Sequence, residues 1–304
     1  MPFIPGVGKV ERVYCFSVSD FHEFDNCPFS FFVNHHLGKK YELAEGNQNM
    51  VVGNLLDGAI KKYHRVKGYN LPLDYLPNLI RAQYREIEED IAGRDKPSFN
   101  TAMKPFLSQE ALQKAIDIFV NYFQVREGRV NSSLGEVSFL QEPILFENGH
   151  YVVWGWPDAY ELGEDGIPEV VDYKFREDVE KGKRNMDMDL MPKIYTFLAA
   201  KYLKSKGYKR ARFVVRIWQD PLDSSLNEEF DLDGIESYGE FFKQKIDRIL
   251  GTEEVRFCDK DWCKVCKHEK RADFLKELQD KGFLKMTGEE FLQAQNFDNP
   301  DLPF

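Results

Sequence analysis

The stretch Trp154-Gly155-Trp156-Pro157-Asp158 is followed, after a short polar segment, by Val170-Val171-Asp172-Tyr173-Lys174. The first run carries an apolar strand, Tyr151-Val152-Val153-Trp154, onto an acid. The second places an acid and a lysine two residues apart. Side chains alternate faces along a strand, so Asp172 and Lys174 point the same way. Glu161 to Pro168, between the two runs, is rich in Gly, Asp and Pro and reads as a hairpin turn. Such a turn folds Asp158 back beside Asp172.

Two carboxylates and one ammonium on neighbouring strands suit hydrolysis of a phosphodiester. Carboxylates hold a hard divalent cation, usually Mg²⁺, through oxygen ligands. The cation polarises the phosphate and acidifies a bound water. The lysine orients that water or stabilises charge building on the phosphate oxygens. Alone, an Asp-x-Lys pair is a weak signal, and the surroundings decide its meaning.

These residues resemble the core signature of the RecB-like branch of the PD-(D/E)XK nucleases. That signature is a Gly-x-x-Asp strand end (Gly155-Trp156-Pro157-Asp158), a hairpin, then apolar-Asp-x-Lys (Val171-Asp172-Tyr173-Lys174). The resemblance implies an α/β, restriction-endonuclease-like core, a mixed central sheet flanked by helices, with a helical insertion and a C-terminal cysteine-rich staple. It implies a Mg²⁺- or Mn²⁺-dependent deoxyribonuclease, with Asp158 and Asp172 on the metal and Lys174 on the water or the transition state.

Composition is compatible with that reading. The 304 residues suffice for one large domain or two small ones, and 42% are hydrophobic with 14% aromatic, ample for a core. No run approaches a transmembrane length. Met1-Pro2-Phe3-Ile4-Pro5 lacks a charged region followed by an apolar stretch, so a secretory signal is not expected and a cytoplasmic location is. The net charge of −10 argues against a generic polyanion-coating protein, but not against a nuclease with a local basic track. Candidate tracks are Lys61, Lys62, Arg65 and Lys67; Lys181, Lys183 and Arg184; and Lys204, Lys206, Lys209 and Arg210.

Near the N-terminus, Phe16-Ser17-Val18-Ser19 leads into an aromatic stripe of Phe21, Phe24, Phe31 and Phe32, with Ser19 the expected N-cap and Pro28 opening a second helix. This stretch resembles the family's opening, in which the cysteine of a Cys-Pro pair, here Cys27, is the first cluster ligand of iron–sulfur members. Gly53 to Asp57 reads as the start of a helix running to about Lys67. The family places a metal-binding histidine four residues after that glycine. Asp57 stands there instead, and an aspartate suits Mg²⁺ at least as well. His64, seven residues on, reads as a partly buried surface histidine rather than a ligand. Residues 72 to 93 and 107 to 125 look helical, with Ile116, Phe119, Val120 and Phe123 at helical spacing.

Strands are expected at Glu136 to Phe139 and Glu142 to Phe146, joined to the next by the Asn148-Gly149 turn. The family's additional glutamate corresponds to Glu142 or, alternatively, Glu136. Arg176 to Asp189 reads as a charged loop before a helix carrying Leu190, Met191, Ile194, Tyr195 and Leu198. The family's Gln-x-x-x-Tyr element falls there. Tyr195 matches the tyrosine, while Met191 replaces the glutamine, so Tyr195 is either a site residue or core. A strand follows at Ala211 to Trp218 and an amphipathic helix at Gly234 to Leu250.

Three cysteines, Cys258, Cys263 and Cys266, cluster late in the chain. Without a secretory signal they read as metal ligands rather than disulfides, and Cys27 supplies a fourth thiolate. Spacing does not separate zinc from iron–sulfur. The resemblance favours a [4Fe-4S] cluster acting as a staple, as in CRISPR-associated and AddB-type relatives, with structural Zn²⁺ the alternative. The late group departs from the family's order, because its extra cysteine lies upstream.

The end of the chain pairs a capping-box start at Thr287 with an acidic tail closing on Asp301-Leu302-Pro303-Phe304. The tail is similar to the tips of bacterial single-stranded-DNA-binding proteins, and is either a docking peptide for their partners or an ordinary acidic tail. The expected organisation is an N-terminal segment (1–48), a helical cap (49–130), the nuclease core (131–250), the cysteine segment (251–285) and the tail (286–304). The function expected is an exonuclease on single-stranded or end-processed DNA, in repair, recombination or CRISPR-type spacer processing. No Walker A motif is present in the sequence, so a helicase would come from another chain. The alternative is a catalytically weak or inactive nuclease-like scaffold.

Overall fold

A computed structural model of the chain describes residues 3–4, 8–9, 14–40, 46–67, 71–93, 98–126, 140–146, 149–184, 190–222, 226–235, 237–252, 254–258 and 260–282. Glu136, Asn148, Thr287 and the acidic tail lie outside them. In chain order, the strands β1 (Phe3–Ile4), β2 (Gly8–Lys9) and β3 (Tyr14–Phe16) precede the helices α1 (Val18–Asn26) and α2 (Pro28–His36). Helices α3 (Gln48–Arg65), α4 (Leu76–Gly93), α5 (Phe99–Met103) and α6 (Gln109–Val125) follow. Next come β4 (Leu140–Phe146), β5 (Gly149–Gly155), β6 (Ala159–Leu162) and β7 (Pro168–Lys174). The remainder is α7 (Val179–Arg184), α8 (Met191–Ser205), β8 (Arg210–Ile217), β9 (Leu226–Asp231), α9 (Ser237–Leu250), α10 (Lys264–Lys267) and α11 (Arg271–Asp280). Among the described residues no helix is long and apolar enough to cross a membrane.

The chain divides into two compact units, each discontinuous in sequence. The first comprises Met1–Leu43, Phe139–Gly155 and Glu236–Phe304. Its three-stranded sheet has the order β3-β5-β4, with β3 parallel and β4 antiparallel to β5. The α1 helix is capped by Ser17, not Ser19. Asp20 at the third helical position accepts from the Ser17 backbone N–H at 2.7 Å while its own N–H reaches the Ser17 hydroxyl, so both orphan donors are satisfied. Cys27 then ends α1 and caps α2, its sulfur accepting from the Ser30 N–H at 3.4 Å, with Pro28 at the first position of α2. Aromatic side chains fill this unit: Phe16 stacks on Phe21, Phe21 on Phe242 of α9, and Phe24 meets Phe31 edge-on. Such pairs add about 0.5–1.5 kcal/mol each beyond their buried area.

The second unit comprises Ala44–Ser138 and Trp156–Ile235 and holds a four-stranded mixed sheet, β6-β7-β8-β9. The β7–β8 pair is parallel and its neighbours antiparallel. A parallel pair needs a crossover, and α7 and α8 lie on it in sequence. Val171 and Tyr173 belong to an apolar cluster with α3, α4 and α6, where Tyr173 stacks on Trp218 at 4.6 Å. The opposite face meets α8, with Tyr195 stacked on Phe213 and Tyr160 against Tyr202. By strand alternation Asp172 and Lys174 lie on this α8 face.

Four boundaries differ from expectation. Asn47 caps α3 through Met50 N–H, so the helix begins at Gln48 and Gly53 lies inside it rather than at its start. The β6–β7 turn is shorter than Glu161 to Pro168. Gly163 N–H donates to Ile167 C=O and Gly166 takes φ +79°, a conformation that favours glycine, so Glu161 is strand. The charged stretch after Lys174 contains α7, with Asn185 to Asp189 outside the described residues. The strand expected to deliver Asp158 ends at Gly155, and Trp156-Pro157-Asp158 leads instead into β6 of a second sheet. Pro157 has no N–H to continue a ladder.

Candidate active site and metal centre

The β6–β7 hairpin sets the first acid. Its register pairs Ala159 with Val171, and Asp158, one residue before the strand, donates its N–H to Val171 C=O at 3.0 Å. One carboxylate oxygen of Asp158 accepts from Tyr173 N–H at 2.8 Å. Asp172 follows on β7, and the Lys174 ammonium lies 2.7 Å and 2.9 Å from its two oxygens. A second ammonium, that of Lys61 on α3, lies 3.5 Å from the other Asp158 oxygen. It also sits over the Trp156 ring, 5.1 Å from the centroid. Asp57 precedes Lys61 by one helical turn, so the two share a face of α3. Both line a cavity of about 920 Å³, together with Trp156, Lys174, Phe175 and Arg176.

Two of these acids, Asp57 and Asp158, are raised by burial and by neighbouring carboxylates. Burial, then the Asp158 charge, pushes the Asp57 carboxyl up to about 7. Asp158 is raised by burial and next by Asp172. Burial works against the Lys174 ammonium, but the charges of Asp172, Tyr195, Asp158 and Asp57, with Asp172 foremost, together outweigh it, so the lysine titrates above its usual range. Tyr195 of α8 is raised by burial and then by Asp172, which puts its hydroxyl within the field of the same group. The structure thus brings Asp57, Asp158, Asp172, Lys174 and Tyr195 into one electrostatic neighbourhood. A cluster of hard oxygen donors that disfavour one another's charge is a fitting seat for a divalent cation.

Two expected positions lie elsewhere. Glu142 is on β4, paired with Val153, in the first unit. His64 is not a partly buried surface histidine: it is 3% exposed and lies 3.8 Å from the buried Glu161. Burial, foremost, pulls its pKa down. Glu161 accepts from the Tyr173 hydroxyl at 2.7 Å and from Arg216 at 3.0 Å, and Arg216 also holds Glu169. The sequence carries no signal of this buried ion network, because Glu161 reads as turn. In the sequence Lys61 reads only as one member of a basic track. Its position four residues after Asp57 was the available signal.

In the first unit, the sulfurs of Cys27, Cys258, Cys263 and Cys266 all lie within 4.8 Å of one another. Cys27 and Cys266 approach to 3.5 Å, and Cys258 N–H donates to the Cys266 sulfur at 3.2 Å. Backbone N–H groups aimed at sulfur stabilise thiolates. Cys15, on β3, stands outside this set, and burial pushes its thiol up to about 12. Four thiolates can hold a metal centre. A single tetrahedral ion with metal–sulfur bonds near 2.3 Å spaces its sulfurs by about 3.8 Å. A four-iron cubane holds its cysteine sulfurs at about 6 Å. The present spacing is closer to the first.

An α/β unit that gathers two acids and a lysine on one hairpin face, with a third acid beside them, has the make-up of a nuclease. The model of the PD-(D/E)XK nuclease superfamily matches residues 15–271, and the chain belongs to that superfamily. Its nucleases use a divalent metal, and DNA is the substrate the superfamily suggests. No curated protein matches the chain. Among solved structures, one titled "Crystal structure of SSO0001" is similar at 11% identity and a TM-score of 0.30, over 86% of this chain and 87% of that one. A likeness of that size carries no argument.

Proposed function

We propose that the chain is a RecB-like, Mg²⁺- or Mn²⁺-dependent deoxyribonuclease, an exonuclease acting on single-stranded or end-processed DNA. The observation that carries this reading is the convergence of Asp158 and Asp172, with Lys174 fixed on Asp172, and with Lys174 and Asp57 both lining one cavity. Asp57, Asp158 and Asp172 would hold the cation, which when bound would polarise the scissile phosphate and acidify a water. Lys174 holds positive charge where the phosphate oxygens gain negative charge. Tyr195 borders the group from α8. The matching Gly-x-x-Asp and Asp-x-Lys elements support the RecB-like assignment. DNA repair, recombination or CRISPR-type spacer processing all fit such an enzyme, with a helicase working in trans. The acidic tail would dock on partners of single-stranded-DNA-binding proteins.

The four cysteines form a structural staple between the N-terminal and C-terminal segments of the first unit. Their spacing supports a single Zn²⁺, while the family resemblance supports [4Fe-4S]. An inactive DNA-binding scaffold is the alternative reading, and it rests on Asp57 and Met191 replacing the family's histidine and glutamine.

Digestion of end-labelled single- and double-stranded DNA with Mg²⁺ or Mn²⁺, wild type beside Lys174→Ala, tests the proposal. Cleavage lost in the variant supports the nuclease, and the released label gives its polarity. Binding without cleavage in either protein moves the weight to the scaffold.

A further inference from the structure

Asp172 and Asp158 each have their own ammonium: Lys174 serves Asp172, and Lys61 serves Asp158. The two are held differently. Lys174 is within charge-assisted hydrogen-bond distance of both Asp172 oxygens, at 2.7 Å and 2.9 Å. Lys61 stands at 3.5 Å from a single oxygen. That is too long for such a bond, so the contact is a loose ion pair on a flexible four-carbon stem. The Lys61 side chain keeps 29% of its surface exposed, and the residue lines the cavity. The Trp156 ring gives its ammonium a second resting contact.

We propose that Lys61 is a second cationic group of the reaction centre, one that neutralises Asp158 until a divalent ion takes that carboxylate and then turns onto a phosphate oxygen of the substrate. The proposal rests on the nuclease reading above and goes beyond the Asp-x-Lys signature, which accounts only for Lys174. Lys61 and a divalent ion compete for one oxygen, because two cations on the same carboxylate repel each other. Once displaced, Lys61 remains within the cavity beside Asp57, where a bound phosphodiester needs countercharge.

The test compares wild type with Lys61→Met and Lys61→Arg in two measurements. Mn²⁺ is titrated without DNA and followed by thermal unfolding, and an end-labelled oligonucleotide is cleaved at saturating Mn²⁺. Lys61→Met should bind Mn²⁺ about three- to tenfold more tightly, its internal competitor gone. It should also lose about 10- to 100-fold in kcat, with KM moved less than about threefold. Lys61→Arg should recover most of kcat. A surface ion pair of purely structural worth would lower Tm and leave kcat alone.

A kcat unchanged in Lys61→Met, a loss confined to KM, or Mn²⁺ binding no tighter than wild type would each overturn the proposal. Should Lys61→Met not fold, Lys61→Gln carries the same comparison. If wild type leaves every DNA intact, the nuclease reading is what fails, and the Mn²⁺ titration still decides whether Lys61 competes for Asp158.

Discussion

Lys174 grips Asp172 from two residues along the same strand, its ammonium 2.7 Å from one carboxylate oxygen and 2.9 Å from the other. Burial disfavours that charge, and the surrounding acids, Asp172 foremost, restore it. The lysine is therefore a fixed cation rather than a proton shuttle near neutral pH. Lys174→Ala should lower kcat about 10²- to 10³-fold, as removal of a charge-stabilising donor does. The wild-type pH–rate profile should show no limb belonging to a lysine below pH 9. A lysine-like limb near neutrality would mean that the Asp172 contact does not hold it charged.

Asp57, raised to about 7 by burial and Asp158, makes metal binding pH-dependent. The ion needs the carboxylate, so affinity should weaken as pH falls below about 7 and saturate above it. At a hundred times Kd, Mn²⁺ should add about 2.7 kcal/mol, or roughly 5 °C in Tm. Asp158→Asn and Asp172→Asn should each remove that shift. Calorimetric scans at pH 6 and pH 8, with and without Mn²⁺, check both statements.

The buried network of Arg216 with Glu161 and Glu169 lies under the hairpin, its Arg216 side chain 8% and Glu161 side chain 3% exposed. Removing one partner leaves an uncompensated charge. Arg216→Met should cost about 3–5 kcal/mol. The combined variant Arg216→Met, Glu161→Gln should cost less than the sum of the two single changes. Urea unfolding of the four proteins gives the coupling, and strict additivity would show that the groups do not act together.

In the first unit, acid should act in two windows. His36 is brought down to about 3 by burial, with a smaller push from His35. Between pH 6.5 and 3 the unfolded chain binds a proton there that the folded chain refuses, so stability falls as pH drops through this range, by up to about 1.4 kcal/mol per pH unit. Burial opposes the charge on Glu23, yet hydrogen bonds with His35, Ser30 and Asn34 hold it at about 2. Its contribution is present above pH 4.5 and is lost as pH falls toward 2. His36→Phe, in the ring stack with Phe32, should flatten the first window and leave the second. A slope unchanged between pH 6 and 5 would assign it elsewhere.

Metal analysis of purified protein separates the two occupants of the cysteine cage. Zinc near one equivalent without visible absorbance follows from sulfurs within 4.8 Å of one another. Iron with sulfide would instead support the cluster. Cys27→Ser should lose the metal and loosen the first unit, because site formation and folding are one equilibrium.

What the sequence determined by itself was local. The period of a strand places Asp172 and Lys174 on one face whatever else the chain does, and the residue types at 258, 263 and 266 mark a thiolate group. Boundaries set by capping were less legible: Ser17 and Asp20 cap α1 reciprocally, while neighbouring Ser19 has the same chemistry without that partner. The rest depended on separations that no local pattern encodes. Glu161 reads as turn because its partner, Arg216, lies 55 residues on. His64 reads as surface until Glu161 is packed against it. Asp57 and Lys61 become neighbours of Asp158 only when α3 packs against the hairpin, and Cys27 reaches Cys266 across 239 residues. Such contacts are fixed by burial and by the charges that burial forces together, and these forces act only once the chain is folded.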